Sequence, residues 1–198
     1  MGFVRRNVLY VGITGHRPNR MPEQHWHRIK KDLDKVMVEI EAGHPGRQPV
    51  LLSGLAEGAD RLAAFVALGR SWKLQTILAF HRTRFEKDFP AAFAIGEFRA
   101  ALGASTKVEE PKRSPDRGTP REDGYYAVGQ RLLALSDILI AVWDGEGSRG
   151  RGSTVEVIDE ARTRGIPVIW VHAKRSIQPK QLKRSEAPAK DLASTARK

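Results

Sequence analysis

Cysteine is absent from this chain of 198 residues, and no apolar run approaches the length that a transmembrane helix needs. The lack of cysteine excludes disulfide bonds, thiolate catalysis and cysteine-ligated metal sites. The apolar run at residues 8–13 is too short for a secretory signal, and Arg6 stands where a myristoylation motif has Ser or Thr. We therefore expect a cytoplasmic protein with no membrane partner.

Histidine is present but shows no metal-binding spacing. His25 and His27 would point to different faces of a helix, and no acidic cluster accompanies them. We predict neither a metal site nor a bound cofactor.

Acidic residues are scarce relative to basic ones, which leaves a formal net charge of +11. Much of the excess lies in residues 173–198, where eight Lys and Arg accompany two acidic residues. We predict a folded domain over residues 1–172 and a basic, poorly ordered tail over residues 173–198. Such a tail attracts nucleic acid weakly, or serves only to keep the protein in solution.

Strand and helix patterns alternate along the rest of the chain. Apolar runs typical of buried strands occur at residues 8–13, 49–52, 74–80, 137–142 and 166–171, with a weaker candidate at Val108. Helical patterns occur at residues 22–43, 59–68, 85–89, 91–102, 125–135 and 153–164. This alternation predicts a single α/β domain with a Rossmann-like, doubly wound and mostly parallel sheet.

Three glycine-bearing turns each follow one of these apolar runs. They are Ile13-Thr-Gly-His-Arg-Pro18, Ser53-Gly-Leu-Ala-Glu-Gly-Ala-Asp60, and the segment from Trp143 to Thr154. Glycine lets backbone N–H groups approach an anion closely, and a following helix N-terminus adds partial positive charge. Because ligands of parallel sheets bind beyond the carboxyl ends of the strands, the turns predict one composite site for a phosphate-bearing ligand.

The turns resemble motifs of the SLOG superfamily, which joins the DNA-processing protein A family to the Lonely Guy (LOG) enzymes. The second turn, followed by Arg61-Leu-Ala-Ala64, is similar to the superfamily's second motif, and the first turn is similar to its first motif. The chain also resembles a prokaryotic SLOG group that is often found in signalling and defence proteins. The segments that carry this resemblance are Phe85-Glu-Lys-Asp-Phe89, Tyr126-x-x-Gly129 and Asp137-Ile-Leu-Ile-Ala-Val-Trp-Asp-Gly145. The resemblance implies a Rossmann-like fold that binds nucleotides or nucleotide-derived molecules.

Arg17 is the expected phosphate partner, since its planar guanidinium donates two hydrogen bonds at once. Ser53, Asp60 and Asp144 can each bind ligand hydroxyls, or instead stabilise their own turn or helix start. The predicted ligand-binding residues are Gly15, His16, Arg17, Ser53, Gly54, Glu57, Gly58, Asp60, Asp144, Gly145, Gly150, Gly152, Ser153 and Thr154.

Glu156 decides whether the resemblance extends to catalysis. The LOG enzymes place an active glutamate in a Gly-Thr-x-x-Glu pattern. If Gly152-Ser153 is aligned with the Gly-Thr of this pattern, Glu156 occupies the position of the active glutamate. If Thr154 is aligned with the Thr instead, Val157 occupies that position. One residue is about 100° around a helix, so the two registers aim the carboxylate differently. The Gly-x-Gly-x-Thr pattern favours the second register, and with it binding over catalysis.

Three functions are compatible with these features. The first is a sensor or signalling module that binds a nucleotide or nucleotide-derived ligand, which we favour. The second is a hydrolase of nucleotide N-glycosidic bonds with Glu156 as its catalytic residue. The third is binding of single-stranded nucleic acid through the basic tail and a predicted arginine-bearing loop at residues 111–121. The sequence is also compatible with a homo-oligomer.

Overall fold

Strands of the computed structural model, which describes residues 7–89, 91–111, 120–147 and 150–183, form one sheet. The strands are β1 (Val8–Gly15), β2 (Gln48–Ser53), β3 (Lys73–Ile77), β4 (Lys107–Glu109), β5 (Ile138–Trp143), β6 (Val168–His172) and β7 (Lys180–Gln181). Their spatial order is β4-β3-β2-β1-β5-β6-β7, and every pairing is parallel except that of β6 with β7. The predicted α/β class with a mostly parallel sheet is confirmed.

Helices cover both faces of this sheet. They are α1 (Trp26–Gly43), α2 (Ala59–Gly69), α3 (Arg82–Glu86), α4 (Ala92–Gly103), α5 (Arg121–Leu135) and α6 (Thr154–Thr163). One buried apolar cluster joins the sheet to α1, α2, α3 and α4, and a second joins it to α5 and α6. Two separate cores on opposite faces are what a doubly wound sheet requires.

The central strand β1 alternates its side chains between these two cores. Leu9, Val11 and Ile13 are buried in the cluster that contains α1 and α2. On the other face, a Cβ added to Gly12 would lie 2.4 Å from Leu132 Cδ2, so α5 packs directly against the strand backbone. The carboxyl end of β1 is therefore held between helices of both layers.

Several element bounds differ from those predicted. The helix α5 begins at Arg121 rather than at residue 125, because Pro120 precedes it and Glu122 and Asp123 stabilise its first turn. The strand β3 ends at Ile77 rather than at residue 80, at its last pairing with β4. Residues 23–25 form a 3-10 turn, so α1 begins at Trp26. The helix predicted at residues 85–89 is α3, which starts and ends earlier.

The strand β7 falls within the segment that we predicted to be a poorly ordered tail. Lys180 pairs with Trp170 and Gln181 with Ile169 in an antiparallel ladder, and Leu182 is buried in the cluster of α5 and α6. Burial of the Leu182 side chain offsets the conformational entropy lost when the segment that carries β7 is ordered. Residues 173–183 thus form part of the folded domain, while residues 112–119 and 184–198 lie outside the described residues.

Candidate functional site

A cavity of about 380 Å³ opens at the carboxyl ends of β1 and its neighbours. From β1 the chain order proceeds towards β2 on one side and towards β5 on the other. In an open α/β sheet, this reversal of strand order leaves a crevice between the helices of the two faces, where ligands bind. The volume lies in the range of small-molecule sites.

The turns around this cavity are joined through their backbones. His16 donates its backbone N–H to Val142 O at 3.0 Å, and its own carbonyl accepts the N–H of Ala59 at 3.1 Å. Gly58 has a φ of +99°, and a Cβ there would lie 2.6 Å from His16 O. Only glycine fits this conformation and this close approach. The structure thus brings the first and second turns into direct contact.

The third turn reaches the same cavity by packing on α5. A Cβ added to Gly152, whose φ is +73°, would lie 2.9 Å from the backbone nitrogen of Tyr126. Among the residues predicted to bind the ligand, those that line the cavity are Gly15, His16, Arg17, Gly54, Asp60, Gly152, Ser153 and Thr154. Those outside its lining are Ser53, Glu57, Gly58, Asp144, Gly145 and Gly150, and the candidate catalytic Glu156 is also outside it.

Ser53 and Arg61 hold the second turn in shape. The Ser53 hydroxyl accepts the N–H of Leu55 at 3.1 Å and donates to Asp60 O at 3.4 Å. Leu55 has a φ of +53°, which is uncommon for a residue with a side chain. Buried Arg61 stabilises it, since its Nε donates to Leu55 O at 3.1 Å and its Nη1 donates to Ala94 O at 2.6 Å. Arg61 was not among the residues predicted from the sequence to build the site.

Arg17 lies against an aromatic ring at the cavity wall. Its guanidinium carbon is 4.5 Å from the ring centroid of Tyr125, a cation–π contact. Within the described residues, no carboxylate lies within ion-pair distance of Arg17. Arg151 makes the same kind of contact with the neighbouring Tyr126, also at 4.5 Å. Neither Tyr125 nor Arg151 was among the predicted site residues, although a motif beginning at Tyr126 was evident in the sequence.

Asp60 contributes a buried carboxyl group to the cavity. Burial raises its pKa to about 7, although N–H groups of Ala56 and Gly54 and the charge of Arg17 favour the ionised form. Its Oδ2 would lie 3.2 Å from a Cβ added to Gly54. A carboxyl group of this kind changes its charge near neutral pH.

Asp144 is the buried centre of an ion-pair cluster beside the cavity. Its carboxylate contacts His16 Nε2 at 2.8 Å, Arg20 Nη2 at 2.9 Å and Lys174 Nζ at 2.9 Å, and it accepts the N–H of Glu146 at 3.1 Å. Burial acts to raise the pKa of Asp144, but the hydrogen bonds from His16 and Lys174 outweigh it and lower that pKa below its ordinary value. The cluster connects the first turn to the ends of β5 and β6.

Ser153 and Glu156 build the start of α6. The Ser153 side chain accepts the N–H of Glu156 at 3.3 Å, and Glu156 Oε2 accepts the N–H of Gly152 at 2.6 Å. This arrangement is close to a capping box, in which the two side chains satisfy free N–H groups reciprocally. The N-terminus of α6, a helix of 10 residues, faces the cavity through Ser153 and Thr154.

Within the ranges that the structure describes, no three His, Asp or Glu residues are grouped so that they hold a metal ion. None of the helices in those ranges is both long enough and apolar enough to cross a membrane.

Comparison with known proteins relates this arrangement to solved structures only. No family model matches the chain, and no curated protein matches it. DNA processing protein A from Streptococcus pneumoniae is similar with a TM-score of 0.53 and 18% identity over 82% of this chain and 50% of that chain. This chain therefore spans half the length of that protein. The likeness shows that the two share a Rossmann-like α/β fold.

Two further structures have lower TM-scores. DNA processing protein A from Helicobacter pylori, described for its single-stranded DNA binding mode, matches with a TM-score of 0.49 and 18% identity over 82% of this chain and 64% of that chain. The molybdenum cofactor carrier protein of Chlamydomonas reinhardtii matches with a TM-score of 0.47 and 14% identity over 82% of this chain and 76% of that chain.

Proposed function

We propose that this protein binds a nucleotide or nucleotide-derived ligand in the cavity and acts as a sensor of that ligand. The observation that carries the proposal is the meeting of Arg17, the glycine turns and the N-terminus of α6 in one cavity. The first N–H groups of a helix have no partner within the helix and favour an anion. A phosphate group placed between Ser153 and Arg17 meets both kinds of donor.

The rest of the lining suits the remainder of a nucleotide. Apolar side chains of α5 and α6 form part of the wall, including Val128, Leu132 and Val157. Tyr125 adds an aromatic ring beside Arg17. A ligand with a charged phosphate and a flat, largely apolar base fits a wall divided in this way.

The contacts of Glu156 support binding over hydrolysis. Its carboxylate is hydrogen-bonded to the N–H of Gly152 and lies outside the cavity lining. A general acid, base or nucleophile must reach the reacting atoms of the substrate. We therefore assign Glu156 to the helix start and propose no catalytic residue.

Single-stranded nucleic acid is a second candidate ligand, because it presents the same phosphates and bases as a nucleotide. The exposed side chains of Arg121 and Arg151 at the cavity favour it. Binding of this kind weakens steeply as salt concentration rises.

Binding of nucleoside 5′-monophosphates, measured by calorimetry, tests the proposal. Replacing Arg17 by Ala should weaken binding by about 1.5–3 kcal/mol, since it removes a charged hydrogen bond. The matched control is Arg99→Ala, because Arg99 is an exposed arginine paired with Glu86 and lies outside the cavity. Equal dissociation constants for the original protein and Arg17→Ala would remove Arg17 from the site.

The same experiment separates the two candidate ligands. Tight binding of mononucleotides that does not improve with oligonucleotide length supports a small-molecule sensor. Binding that appears only with single-stranded oligonucleotides, and falls with salt, favours the nucleic-acid function. Failure of both probes to bind would contradict the proposal.

A further inference from the structure

The His16 ring is buried at the cavity wall with one nitrogen already committed. The residue is 5% exposed, and its Nε2 lies 2.8 Å from Asp144 Oδ1. The Asp144 side chain is fully buried and accepts further hydrogen bonds from Arg20 and Lys174. Because an ionised carboxylate only accepts hydrogen bonds, Nε2 is the ring nitrogen that carries the hydrogen.

The other nitrogen, Nδ1, is consequently a hydrogen-bond acceptor. Burial lowers the pKa of His16 more than Asp144 raises it, which keeps the ring neutral. Nδ1 makes no hydrogen bond to any residue that the structure describes. Among the described residues, Nδ1 of His16 is not one of the fully buried side-chain atoms that lack a partner, so it keeps some exposure, and His16 belongs to the cavity lining.

An acceptor nitrogen selects the chemistry of its partner. It binds a hydroxyl or N–H group and repels the oxygens of a phosphate. His16 directly precedes Arg17, the phosphate partner that we propose, and the sugar is the part of a nucleotide next to its phosphate. The three side chains that the sequence offered for ligand hydroxyls have partners within the protein. Ser53 bonds its own turn, Asp144 holds its ion pairs, and the Asp60 carboxyl accepts backbone N–H groups of Ala56 and Gly54.

We propose that His16 Nδ1 accepts a hydrogen bond from a ribose hydroxyl, so that the cavity selects ribonucleotides over deoxyribonucleotides. Asp144 acts as the positioning residue, because its bond to Nε2 sets the tautomer and orientation of the ring. The inference rests on the proposed nucleotide binding and specifies the class of ligand.

The substitution His16→Gln tests this role with little disturbance of the fold. The glutamine side-chain amide can replace Nε2 as the donor to Asp144, but it has no atom in the place of Nδ1. The matched control is His27→Gln, which changes an exposed histidine of α1 outside the cavity lining. The probes are the four ribonucleoside 5′-monophosphates and their 2′-deoxy and 3′-deoxy forms, with affinities from calorimetry.

The original protein and His27→Gln should bind at least one deoxy form about 3- to 10-fold more weakly than the ribonucleotide, the usual scale of one neutral hydrogen bond. His16→Gln should bind the ribo and deoxy forms equally. A measurement that needs no variant is the ¹⁵N resonance of His16 Nδ1, which should move with the ribonucleotide and not with that deoxy form.

Equal affinities of the original protein for all sugar forms would overturn the inference and leave nucleotide binding intact. A ribose preference that persists in His16→Gln, or a stationary Nδ1 resonance, would do the same. Absence of binding by every nucleotide would overturn the proposed function, and the inference with it.

Discussion

Replacement of Asp60 by Asn should change how the stability of this protein depends on pH. The ordinary pKa of the carboxyl group is 3.8, and burial raises it to about 7 in the folded protein. Between these values the folded state retains a proton that the unfolded state releases. The free energy of unfolding contributed by Asp60 therefore falls as pH rises through this window.

The magnitude follows from the difference between the two pKa values. Each pKa unit corresponds to about 1.4 kcal/mol. A change from pH 5 to pH 8 covers the part of this window that lies above pH 5, which is about 2 pKa units wide. Asp60 should thus remove about 2–3 kcal/mol of stability over that change of pH. The pKa values of His16 and His172 are lowered by burial, so their contributions rise with pH, but both proteins share them.

Urea unfolding at pH 5 and pH 8 measures the effect in both proteins. At pH 5, where Asp60 is neutral in the folded state, the Asn variant should lie within about 1 kcal/mol of the original, because its amide oxygen still accepts a backbone N–H. At pH 8 the variant should gain about 2–3 kcal/mol relative to the original. The same change with pH in both proteins would refute a buried Asp60 that titrates near neutral pH.

Two further predictions concern the turns. Gly58→Ala should destabilise the fold by about 2–4 kcal/mol in urea unfolding, because Gly58 has a positive φ and an added Cβ would collide with His16 O. The control Gly43→Ala, where a Cβ meets open space, should cost less than about 0.5 kcal/mol. Glu156→Gln should bind nucleotides with nearly unchanged affinity, since the Glu156 side chain is hydrogen-bonded to Gly152. Neither form should release free base in a chromatographic assay. Turnover that depends on Glu156 would instead support the assignment as a hydrolase.

Local sequence patterns were sufficient for the architecture. The apolar residues of α1 between Ile29 and Ile40 are buried, because their helical periodicity in the sequence places them on one face. Ser153 begins α6 as its N-cap, since a short hydroxyl side chain bonds the first turn wherever such a helix forms. The glycine turns meet because parallel strands place their carboxyl ends at one edge of the sheet.

The roles of the polar side chains were decided by tertiary structure. Asp144 was predicted to contact ribose or orient its loop, and its partners His16, Arg20 and Lys174 are far apart in the sequence. No local pattern contains such a cluster, because it depends on how β1, β5 and β6 are placed side by side. The strand β7 is a similar case, since its two residues carry no strand pattern and pair only because the edge of β6 is available.

The raised pKa of Asp60 has the same origin. Its place near a helix start was evident from the sequence, and there the helix dipole favours a carboxylate. Burial is the larger influence on its pKa in the folded protein, and it favours the protonated form. Burial depends on how the surrounding elements pack around the turn, which is a property of the whole fold. The sequence by itself thus determined where the cavity forms, and the tertiary structure decided which side chains face it and in what charge state.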